Sequence, residues 1–377
     1  MQPQCAAALI FQVDFMHHFT IENNNGNARH GKLKTQHGIV ETPFFMPVAT
    51  KGSVKLLSME EVESAGTKCL ISNAFILSLK PGLEVIEKHG GLHKFMKWEN
   101  PCFTDSGGFQ VLSEGFRLKL SGEGVLFRNP FTGKKMMFTP ERAIEIQNRL
   151  GSDVAMCLDD VPKAGDNAKR VEEAVERTAL WAERCRAAHK NKKQMLFGIS
   201  QGGINLKLRK QSSATISGLD FDGVAVGGLG IGEGKKEMHA AVKASLDVIP
   251  ENKPRYLMGV GSIEEMIEAI AMGIDCFDSA FPTRTGRHGR AFSGKGNLNM
   301  ENTKHRFDLN PIDENCGCFV CTNHTRAYVH HLVKTKEENG MKYLSYHNIF
   351  FVNKLLEKIR GKIGENDFKK EKILKEL

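Results

Sequence analysis

The chain has 377 residues, of which 41% are apolar and 25% charged, and its 52 Lys and Arg against 44 Asp and Glu give a formal net charge of +8. These values are ordinary for a globular protein and exclude collagen-like, mucin-like and wholly disordered chains. No apolar run approaches the roughly 18 to 20 residues that a membrane-spanning helix requires, and the positive charge permits a nucleic-acid partner without demanding one.

The amino terminus does not resemble a targeting signal. Residues 5–13 are mostly apolar, but no basic segment precedes them and the acidic Asp14 follows directly. We therefore expect a loose terminal strand, a cytoplasmic location and no membrane association. The nine cysteines favour a reducing compartment, because three crowd together and the rest are scattered, unlike a disulfide framework. The scattered ones are Cys5, Cys69, Cys102, Cys157, Cys185 and Cys276.

Eight short apolar or β-branched runs recur along the chain, and polar residues or glycines follow them, as is typical of strands buried on both faces. The runs are residues 44–48, 69–72, 102–104, 154–158, 194–199, 223–226, 255–260 and 274–277. Helical patterns lie between most of them. Ser58 with Glu61 and Ser262 with Glu265 predict capping boxes, Pro140 after Thr139 predicts a helix start, and residues 170–190 are amphipathic. Together these signals are typical of a chain in which strands and helices alternate.

This alternation predicts an α/β protein with a parallel sheet, and eight units fit a (β/α)8 TIM barrel with its active site at the carboxyl ends of the strands. An open doubly wound sheet is the competing topology.

Two regions fall outside the repeat. Residues 111–138 predict a β-ribbon insertion, and a cysteine cluster and a basic helical tail (353–377) follow residue 295. We predict one catalytic domain over residues 1–377 with an embedded zinc-binding subdomain at about 295–360.

Polar side chains follow four of the predicted strands, namely Asp105, Asp159, Gln201 and Asp278. A single aspartate after a strand is often only a helix N-cap. Three carboxylates and a glutamine at four strand ends are harder to explain as caps, so they predict a polar pocket. The glycine-rich stretch 227–234 is a turn or a phosphate cradle, but it lacks the Gly-x-Gly-x-x-Gly order of a dinucleotide site.

The spacing Cys316-x-Cys318-x-x-Cys321 predicts a metal site, since Zn²⁺ takes four tetrahedral ligands at about 2.3 Å from each sulfur. The thiolate-rich set favours a structural role over a catalytic one. A fourth ligand should follow, and spacing alone does not choose it. The histidine candidates are His324, His330, His331 and His347.

Positive charge is concentrated in the last quarter of the chain. Residues 281–310 carry a local charge of +4 directly after Asp278, and residues 351–377 carry +3. Because the first of these stretches adjoins the predicted pocket and contains interleaved glycines, it favours contacts with a nucleic-acid backbone over a merely solvated surface.

Six motifs occur in a fixed order between about residue 31 and residue 360. They are Asp-Ser-Gly-Gly-Phe-Gln at 105–110, Gln-Gly-Gly at 201–203, Gly-Gly-Leu at 227–229, Met-Gly-Val-Gly at 258–261, Phe-Asp at 277–278 with Pro-Thr-Arg at 282–284, and the cysteine cluster. In this order they resemble the tRNA-guanine transglycosylase family, also called queuine tRNA-ribosyltransferases. The resemblance implies a (β/α)8 barrel with a zinc subdomain. It also implies a pentosyltransferase of queuosine biosynthesis that replaces guanine at the wobble position of G-U-N anticodon tRNAs by a 7-deazaguanine.

The resemblance implies a role for each matching residue. Asp278 is expected to be the nucleophile and Asp105 the general acid and base. The expected base-binding residues are Asp105, Ser106, Phe109, Asp159, Gln201, Gly228, Leu229 and Met258. The expected tRNA-binding residues are Thr283, Arg284 and Arg287, and the expected ligands of one structural Zn²⁺ are Cys316, Cys318, Cys321 and His347. Family members work as dimers, so a homodimer is expected.

Physical chemistry agrees with these roles. Exchange of one base for another with retained configuration needs two displacements, so one carboxylate must form a covalent glycosyl intermediate. A second carboxylate must move the proton that the leaving base gains and the incoming base loses. The target base must be flipped out of the anticodon stack to react. No step requires an organic cofactor.

Two positions bear on the incoming base. Asp159-Asp160-Val161 resembles eukaryotic members, whereas Ile231 fills a position that is glycine in members that accept the larger queuine. We expect 7-aminomethyl-7-deazaguanine, and direct use of queuine is the alternative. A non-catalytic tRNA-binding partner subunit is a rival that Asp105 and Asp278 argue against. A zinc-ribbon RNA-binding module on an unrelated barrel enzyme would leave Asp159 and Gln201 unexplained.

Overall fold

The structure is a computed structural model that describes residues 18–108 and 117–376. The terminal strand expected at residues 5–13 lies outside this part of the chain. The strands in chain order are β1 (Phe19–Asn25), β2 (Ala28–Thr35), β3 (Gly38–Thr42), β4 (Phe44–Pro47), β5 (Leu70–Asn73), β6 (Cys102–Asp105), β7 (Arg117–Ser121), β8 (Gly124–Arg128), β9 (Lys135–Phe138), β10 (Val154–Met156), β11 (Met195–Ser200), β12 (Gly223–Val226), β13 (Arg255–Leu257), β14 (Cys276–Ser279), β15 (Arg290–Ala291) and β16 (Leu298–Asn299).

The α-helices of the described residues alternate with the later strands. In chain order they are α1 (Met59–Ser64), α2 (Ala74–Leu77), α3 (Leu83–Lys88), α4 (Leu92–Met96), α5 (Pro140–Leu150), α6 (Ala168–Ala188), α7 (Leu206–Ser217), α8 (Lys235–Leu246), α9 (Ile263–Met272), α10 (Phe281–Arg287), α11 (Phe319–Asn323), α12 (Arg326–Lys334), α13 (Glu338–Gly364) and α14 (Lys370–Lys375). Among them, none is long and apolar enough to cross a membrane.

Eight parallel strands form the central sheet in the order β4-β14-β13-β12-β11-β10-β6-β5. A parallel bridge between Val48 and Ile71 joins the two ends of this sheet, so the strands close into a barrel. The predicted (β/α)8 barrel is therefore confirmed, and the open doubly wound sheet is excluded. Each predicted run overlaps one of the eight strands, with bounds that differ by up to three residues. In the run at 255–260 the strand ends at Leu257, which leaves Met258 in a rim loop.

The barrel interior is packed with side chains and is not a channel. The Phe103 ring makes edge-to-face contacts with Phe44, Phe197 and Tyr256, at ring-centre distances of 6.3, 5.5 and 6.1 Å. Aromatic pairs in this arrangement add stability beyond the area that they bury. The side chains that enter the cavity above this core are consequently held by a rigid base.

Helix starts follow the local sequence signals in most cases. At Ser58 the predicted capping box is confirmed, because the hydroxyl accepts from Glu61 N–H and the Glu61 carboxylate accepts from Ser58 N–H. The second box is incomplete. Ser262 Oγ accepts from Glu265 N–H at 3.4 Å, but the Glu265 carboxylate accepts from the Ser262 hydroxyl and not from its backbone N–H.

The antiparallel sheet of β1, β2 and β3 lies at the amino ends of the barrel strands. Arg29 on β2 donates to the buried Asp275, which directly precedes β14. His37, between β2 and β3, donates its N–H to Asp153, which precedes β10, at 3.0 Å. These contacts attach the amino-terminal sheet to the bottom of the barrel.

A second antiparallel sheet, formed by β7, β8 and β9, occupies residues 117–138, within the range of the predicted ribbon. Residues 111–116 of that range lie outside the described part. Trp181 on α6 donates its indole N–H to Gly122 O at 2.8 Å and so fixes the β7–β8 turn to the barrel wall.

The carboxyl-terminal region differs from a simple basic tail. A helix of 27 residues, α13, begins at Glu338, well before residue 353, and packs against α10 and β1. Lysines of the tail pair with acidic side chains, as Lys362 does with Glu365 at 2.8 Å and Lys370 with Glu268 at 2.7 Å. This pairing reduces the positive charge that the tail can offer to a nucleic acid.

Candidate active site and metal centre

A cavity of about 490 Å³ opens at the carboxyl ends of the barrel strands. Three aspartates from three different strand ends, Asp105, Asp159 and Asp278, contribute to its wall. The other lining residues are Val48, Thr50, Ile71, Ser72, Asn73, Val161, Gly227, Gly228, Leu229, Ile231, Met258, Gly259, Ala280 and Arg284. Barrel enzymes carry their active sites at this end. A larger cavity of about 600 Å³ lies outside the barrel, where charges such as Lys235 and Glu264 are paired with each other.

Asp278 is the third residue of β14 and is held by two neutral donors. Its Oδ1 accepts the Tyr256 hydroxyl at 2.5 Å and Gly259 N–H at 2.8 Å. Burial raises the pKa of this carboxyl, and the two hydrogen bonds oppose the shift because they favour the ionised form. The bonds orient Asp278, which has no cationic hydrogen-bond partner in the described part of the chain.

Asp105 is the last residue of β6, and β6 lies next to β5 in the sheet. Its Oδ2 accepts Asn73 Nδ2–H at 3.2 Å, and Asn73 Oδ1 in turn accepts Ile76 N–H at the start of α2. Burial raises the pKa of Asp105 to about 6, with a further contribution from the negative charge of Asp278. A carboxyl with a pKa of about 6 can both donate and accept a proton near neutral pH.

Asp159 follows β10 and is 4% exposed. Its Oδ2 accepts Gln201 Nε2–H at 2.6 Å. Burial raises the pKa of Asp159 to about 7, and the charge of Asp105 adds to the increase while the Gln201 hydrogen bond opposes it. The negative charge of Asp278 thus makes ionisation of Asp105 less favourable, and the charge of Asp105 does the same to Asp159.

The next residue, Asp160, faces away from the cavity and is fully buried. Its carboxylate accepts from Arg170 at 2.8 and 2.5 Å and also from Arg177, both on α6. Its N–H donates to Thr178 Oγ1 at 3.0 Å. These contacts anchor the loop that carries Asp159, so consecutive aspartates serve opposite sides of the same turn.

Glycine is required beside Gln201. A Cβ on Gly228 would lie 2.3 Å from Gln201 Oε1, and one on Gly227 would lie 2.7 Å from Gln201 Nε2. Gly228 also has a φ of +67°, which disfavours other residues. Gln201 is itself fully buried, and its Oε1 has no hydrogen-bond partner among the described residues. A buried acceptor without a donor is unfavourable, so this atom is suited to a ligand N–H.

The remaining predicted base-binding residues occupy different positions. Leu229 and Met258 line the cavity. Ser106 is buried inside the loop after β6, where its hydroxyl accepts Gly108 N–H at 3.3 Å, and it is not a lining residue. Phe109 lies outside the described residues.

The predicted tRNA-binding residues lie on α10, directly after β14. Arg284 is exposed and lines the cavity, and Arg287 lies one turn further along. Burial and the neighbouring charge of Arg284 lower the pKa of Arg287. Thr283 is only 5% exposed and its hydroxyl donates to Ala280 O at 3.1 Å, so it supports the helix from within.

The cysteine cluster converges on one histidine. Sγ of Cys316, Cys318 and Cys321 lies 3.7, 3.4 and 3.4 Å from His347 Nδ1. Zinc–sulfur and zinc–nitrogen bonds of about 2.3 and 2.0 Å at tetrahedral angles separate the two donor atoms by roughly 3.5 Å. The structure places His347 with the three cysteines, and the four residues form a cluster that can hold a metal ion.

A hydrogen bond behind the cluster fixes the tautomer of this histidine. His347 Nε2 lies 2.7 Å from Phe292 O, so the Nε2–H donates to this carbonyl and Nδ1 presents its lone pair to the cysteines. Among the other candidates, His330 Nδ1 lies 2.6 Å from Met300 O and His324 stacks on Tyr343. The residues present thus fit a closed, structural zinc site.

Two residues that hold the carboxylates were not identified from the sequence. Asn73 directly follows the second predicted strand, so the strand-end rule that found Asp105 would also have found it. Tyr256 lies within β13, and its hydroxyl reaches Asp278 only because this side chain points into the barrel. No local sequence signal marks that orientation.

The fold and the site together define a (β/α)8-barrel enzyme with a carboxylate-lined cavity and a separate Cys3His centre. The family model described as queuine tRNA-ribosyltransferase matches residues 24–374. The chain therefore belongs to the queuine tRNA-ribosyltransferase family, and the expected pentosyltransferase class is confirmed.

Relatives of the same description match over nearly their full lengths. The queuine tRNA-ribosyltransferase of Thermotoga neapolitana is 46% identical over 351 residues, which cover 93% of this chain and 95% of that protein. That of Halothermothrix orenii is 45% identical over 342 residues, covering 91% and 92%. That of Enterococcus faecalis is 45% identical over 347 residues, covering 92% and 91%.

Proposed function

We propose that this chain replaces guanine at the wobble position of tRNAs with G-U-N anticodons by 7-aminomethyl-7-deazaguanine, a step of queuosine biosynthesis. The observation that carries the proposal is the meeting of Asp278, Asp105 and Asp159 around one cavity next to Arg284, with the buried Gln201 bonded to Asp159 directly behind the cavity wall. Such a set supplies a nucleophile, a proton carrier, two groups for the edge of a purine and a cation for phosphate. Family membership supports a tRNA substrate.

In the first displacement, a carboxylate oxygen of Asp278 attacks C1′ of the ribose. The C1′–N9 bond breaks, its electron pair leaves with guanine, and an ester joins Asp278 to the sugar. Tyr256 and Gly259 hold Oδ1 and so orient the attack. The incoming base then displaces the carboxylate from the same carbon, which restores the original configuration.

Asp105 carries the proton between the two steps. The leaving guanine gains a proton and the incoming 7-deazaguanine loses one, so a single carboxyl can serve both if its pKa lies near the working pH. The pKa of about 6 supports this role. Asn73 holds the carboxyl by one neutral hydrogen bond and leaves it free to change its protonation state.

Asp159 and Gln201 read the base. The ionised Asp159 accepts from the N–H groups on the guanine edge, and the second N–H of Gln201 Nε2 meets the base carbonyl, assisted by the amides near Gly228 and Leu229. Gln201 Oε1, buried and without a donor among residues 18–108 and 117–376, is available to a further N–H of the ligand. Met258, and Phe109 by resemblance, pack on the faces of the ring.

Ile231 supports the smaller incoming base. Its side chain lines the cavity and its N–H donates to Glu233 Oε2 at 3.1 Å, which fixes the loop. A branched side chain at this position reduces the space for a bulky 7-substituent. Differences of this size discriminate by about 1 to 3 kcal/mol, so direct use of queuine is the alternative that the experiment must compare.

Phosphate binding is proposed for Arg284 and Arg287, with Thr283 supporting their helix.

A homodimer is also part of the proposal. It is supported by two exposed apolar side chains in the predicted zinc-binding subdomain, Phe307 at 83% and Leu309 at 80%. Sedimentation at several protein concentrations tests it, and a monomer at micromolar concentration would contradict it.

Cytoplasmic location remains a prediction. A reduced state of the buried thiols would support it, and these thiols are Cys69, Cys102, Cys157, Cys185 and Cys276.

We further propose that the Cys3His centre holds one structural Zn²⁺. When bound, the ion would tie the segment of the three cysteines to α13, which carries His347. Metal analysis of the purified chain and of Cys318→Ser, together with thermal unfolding, tests this. We expect one zinc per chain, its loss in the variant and a lower unfolding temperature; equal stability without metal would contradict a structural site.

An exchange assay tests the proposed function. tRNA that carries labelled guanine at the wobble position is incubated with the chain and either 7-aminomethyl-7-deazaguanine or queuine. We expect loss of label with the first base and much less with the second. Ile231→Gly should increase the relative rate with queuine. Retention of label with both bases would contradict the proposal.

A further inference from the structure

Arg209 is a fully buried arginine behind the cavity, and its contacts are unusual. It lies in the first turn of α7, and Nη1 donates to Ser200 O at 3.1 Å and to Gly227 O at 2.9 Å. Nε and Nη2 both donate to Gly203 O, at 3.2 and 2.9 Å. All three acceptors are backbone carbonyls, and none is a carboxylate.

Burial of a guanidinium without an anionic partner is unfavourable, and most buried charges are paired. The pKa of Arg209 is lowered to about 9 by burial, and only the charge of Glu233 opposes this decrease. A neutral side chain of similar size would avoid this penalty. The fixed fork of the guanidinium, with five N–H donors, can however hold several carbonyls at defined spacing, which a neutral chain cannot do.

The carbonyls that Arg209 holds belong to two neighbouring loops. Ser200 and Gly203 flank Gln201 after β11, and Gly227 precedes Gly228 after β12. Ser200 O also accepts Gly227 N–H at 3.0 Å, so the guanidinium joins an existing link between the loops. The two loops touch at Gln201 and Gly228, where a single added Cβ would collide.

Helix α7 contacts the first of these loops at two further points. Ser212, one turn beyond Arg209, accepts Gln201 N–H at 2.9 Å. A Cβ on Gly202 would lie 2.7 Å from Arg209 N, so the helix and the loop are in close backbone contact there. The backbone of Gln201 is therefore held from the helix side, while its side chain is held by Asp159.

We propose that Arg209 is a positioning residue for base recognition, which sets the spacing of the loops that carry Gln201 and Gly228 by holding Ser200, Gly203 and Gly227. The inference rests on the proposed function, since it concerns the same pocket. It goes further by placing control of base affinity in a residue that touches neither base nor tRNA.

The variants Arg209→Lys and Arg209→Gln test this, the first keeping the charge without the fork and the second removing both. Arg255→Lys is the matched control, because Arg255 is 7% exposed and donates to a backbone carbonyl, Ile249 O, at the opposite end of the barrel. The KM for the free base, the KM for tRNA, kcat and the thermal unfolding temperature are measured for each chain.

We expect Arg209→Lys to raise the KM for the free base about tenfold, as is typical of the loss of a charged hydrogen bond, while the KM for tRNA stays within about twofold. Arg209→Gln should have the larger effect on the same KM. Arg255→Lys should lower the unfolding temperature without changing either KM. A stability loss in Arg209→Lys with an unchanged KM for the base would overturn the proposal.

Ser212→Ala covers the case in which the arginine variants do not fold, because it loosens the same loop without leaving a buried charge. It should raise the KM for the base about threefold, since one neutral hydrogen bond is lost; an unchanged value would then overturn the proposal. Calorimetric titration with guanine separates this inference from the proposed function. Weaker guanine binding by Arg209→Lys supports the inference even if the unaltered chain exchanges no base, and absence of guanine binding to the unaltered chain contradicts both.

Discussion

Aspartates lie at both ends of the barrel, and the two groups differ in their partners. At the amino ends, Asp275 accepts from Arg29 and from Arg255 N–H, and Asp153 accepts from His37 and from Cys102 N–H. At the carboxyl ends, the side-chain and backbone partners that the described residues offer to the aspartates of the cavity are neutral groups. The same residue type is thus used to attach the barrel to its amino-terminal sheet at one end and to line a reactive cavity at the other.

The difference appears in the pKa of Asp153 compared with those of Asp105 and Asp159, whereas burial raises the pKa of Asp275 in spite of its bonds from Arg29. Although burial acts against it, the pKa of Asp153 is lowered to about 2 by hydrogen bonds from His93, Cys102 and His37. The pKa values of Asp105 and Asp159 are raised to about 6 and about 7 by burial. Position along the strand therefore does not decide chemistry by itself. The partner of the carboxylate decides whether it stabilises the fold or remains available for reaction.

The largest expected effect is on activity. Asp278→Asn should lower kcat by a factor of about 1,000 or more, because the amide cannot form the ester with the ribose, while tRNA binding stays within about twofold. Exchange of labelled guanine and a tRNA binding assay measure the two quantities. The exposed Asp247→Asn is the control and should behave like the unaltered chain. Substantial exchange by Asp278→Asn would contradict a catalytic role for this aspartate, and with it the distinction between the reactive and the structural aspartates at the two ends of the barrel.

The next effect is on stability. Asp275→Asn leaves Arg29 buried without its carboxylate and should lower the free energy of unfolding by about 3 to 5 kcal/mol. The molecules that remain folded should keep normal KM values for both substrates. Urea denaturation with a parallel exchange assay tests this. An active-site defect without a loss of stability would show that the amino ends also contribute to catalysis.

Asp159→Asn should have the opposite effect on stability, because it removes a carboxylate whose ionisation burial opposes. The pKa of Asp159 lies above its unfolded value, so its ionisation reduces stability as the pH rises from about 4 to about 7. The variant should therefore gain about 1 to 3 kcal/mol at pH 8 and almost nothing at pH 4, at the expense of base binding. Unfolding at the two pH values measures the gain, and a loss of stability at pH 8 would contradict the expected direction.

The last expected effect is a pH dependence of base affinity. The ionised Asp159 accepts from the base, so the affinity should decrease about tenfold per pH unit below about 7 and level off above it. Calorimetric titration with guanine between pH 5 and pH 8 measures this, and Gln201→Glu provides a comparison in which a second carboxyl alters the profile. A flat profile in the unaltered chain would contradict recognition by an ionised Asp159.

The sequence predicts the barrel because strands buried on both faces leave continuous apolar runs, and it predicts much of the site because functional side chains follow those runs. The cysteine spacing likewise marks the metal centre. Pairings between distant residues leave no local signal. Arg29 and Asp275 are 246 positions apart, and the Tyr256 bond to Asp278 depends on which face of β13 points inward.

The net charge of the carboxyl-terminal tail is a second case in which the sequence does not reveal pairings between residues. Residues 351–377 have a net positive charge by composition, but composition does not show that Lys358 pairs with Glu376 or that Arg360 donates to Pro43 O at 2.8 Å. Arg209 is likewise an ordinary helix residue in the sequence. Its burial behind two loops becomes visible only when α7, β11 and β12 are brought together.

The most direct test of the account is the capture of the covalent intermediate. The chain is mixed with tRNA without an incoming base, denatured rapidly and examined for a protein–tRNA adduct, whose attachment site is mapped by mass spectrometry. We expect an adduct on the peptide that contains Asp278, and none with Asp278→Asn. An adduct that persists in that variant, or that maps to Asp105, would contradict the assignment of Asp278 as the nucleophile.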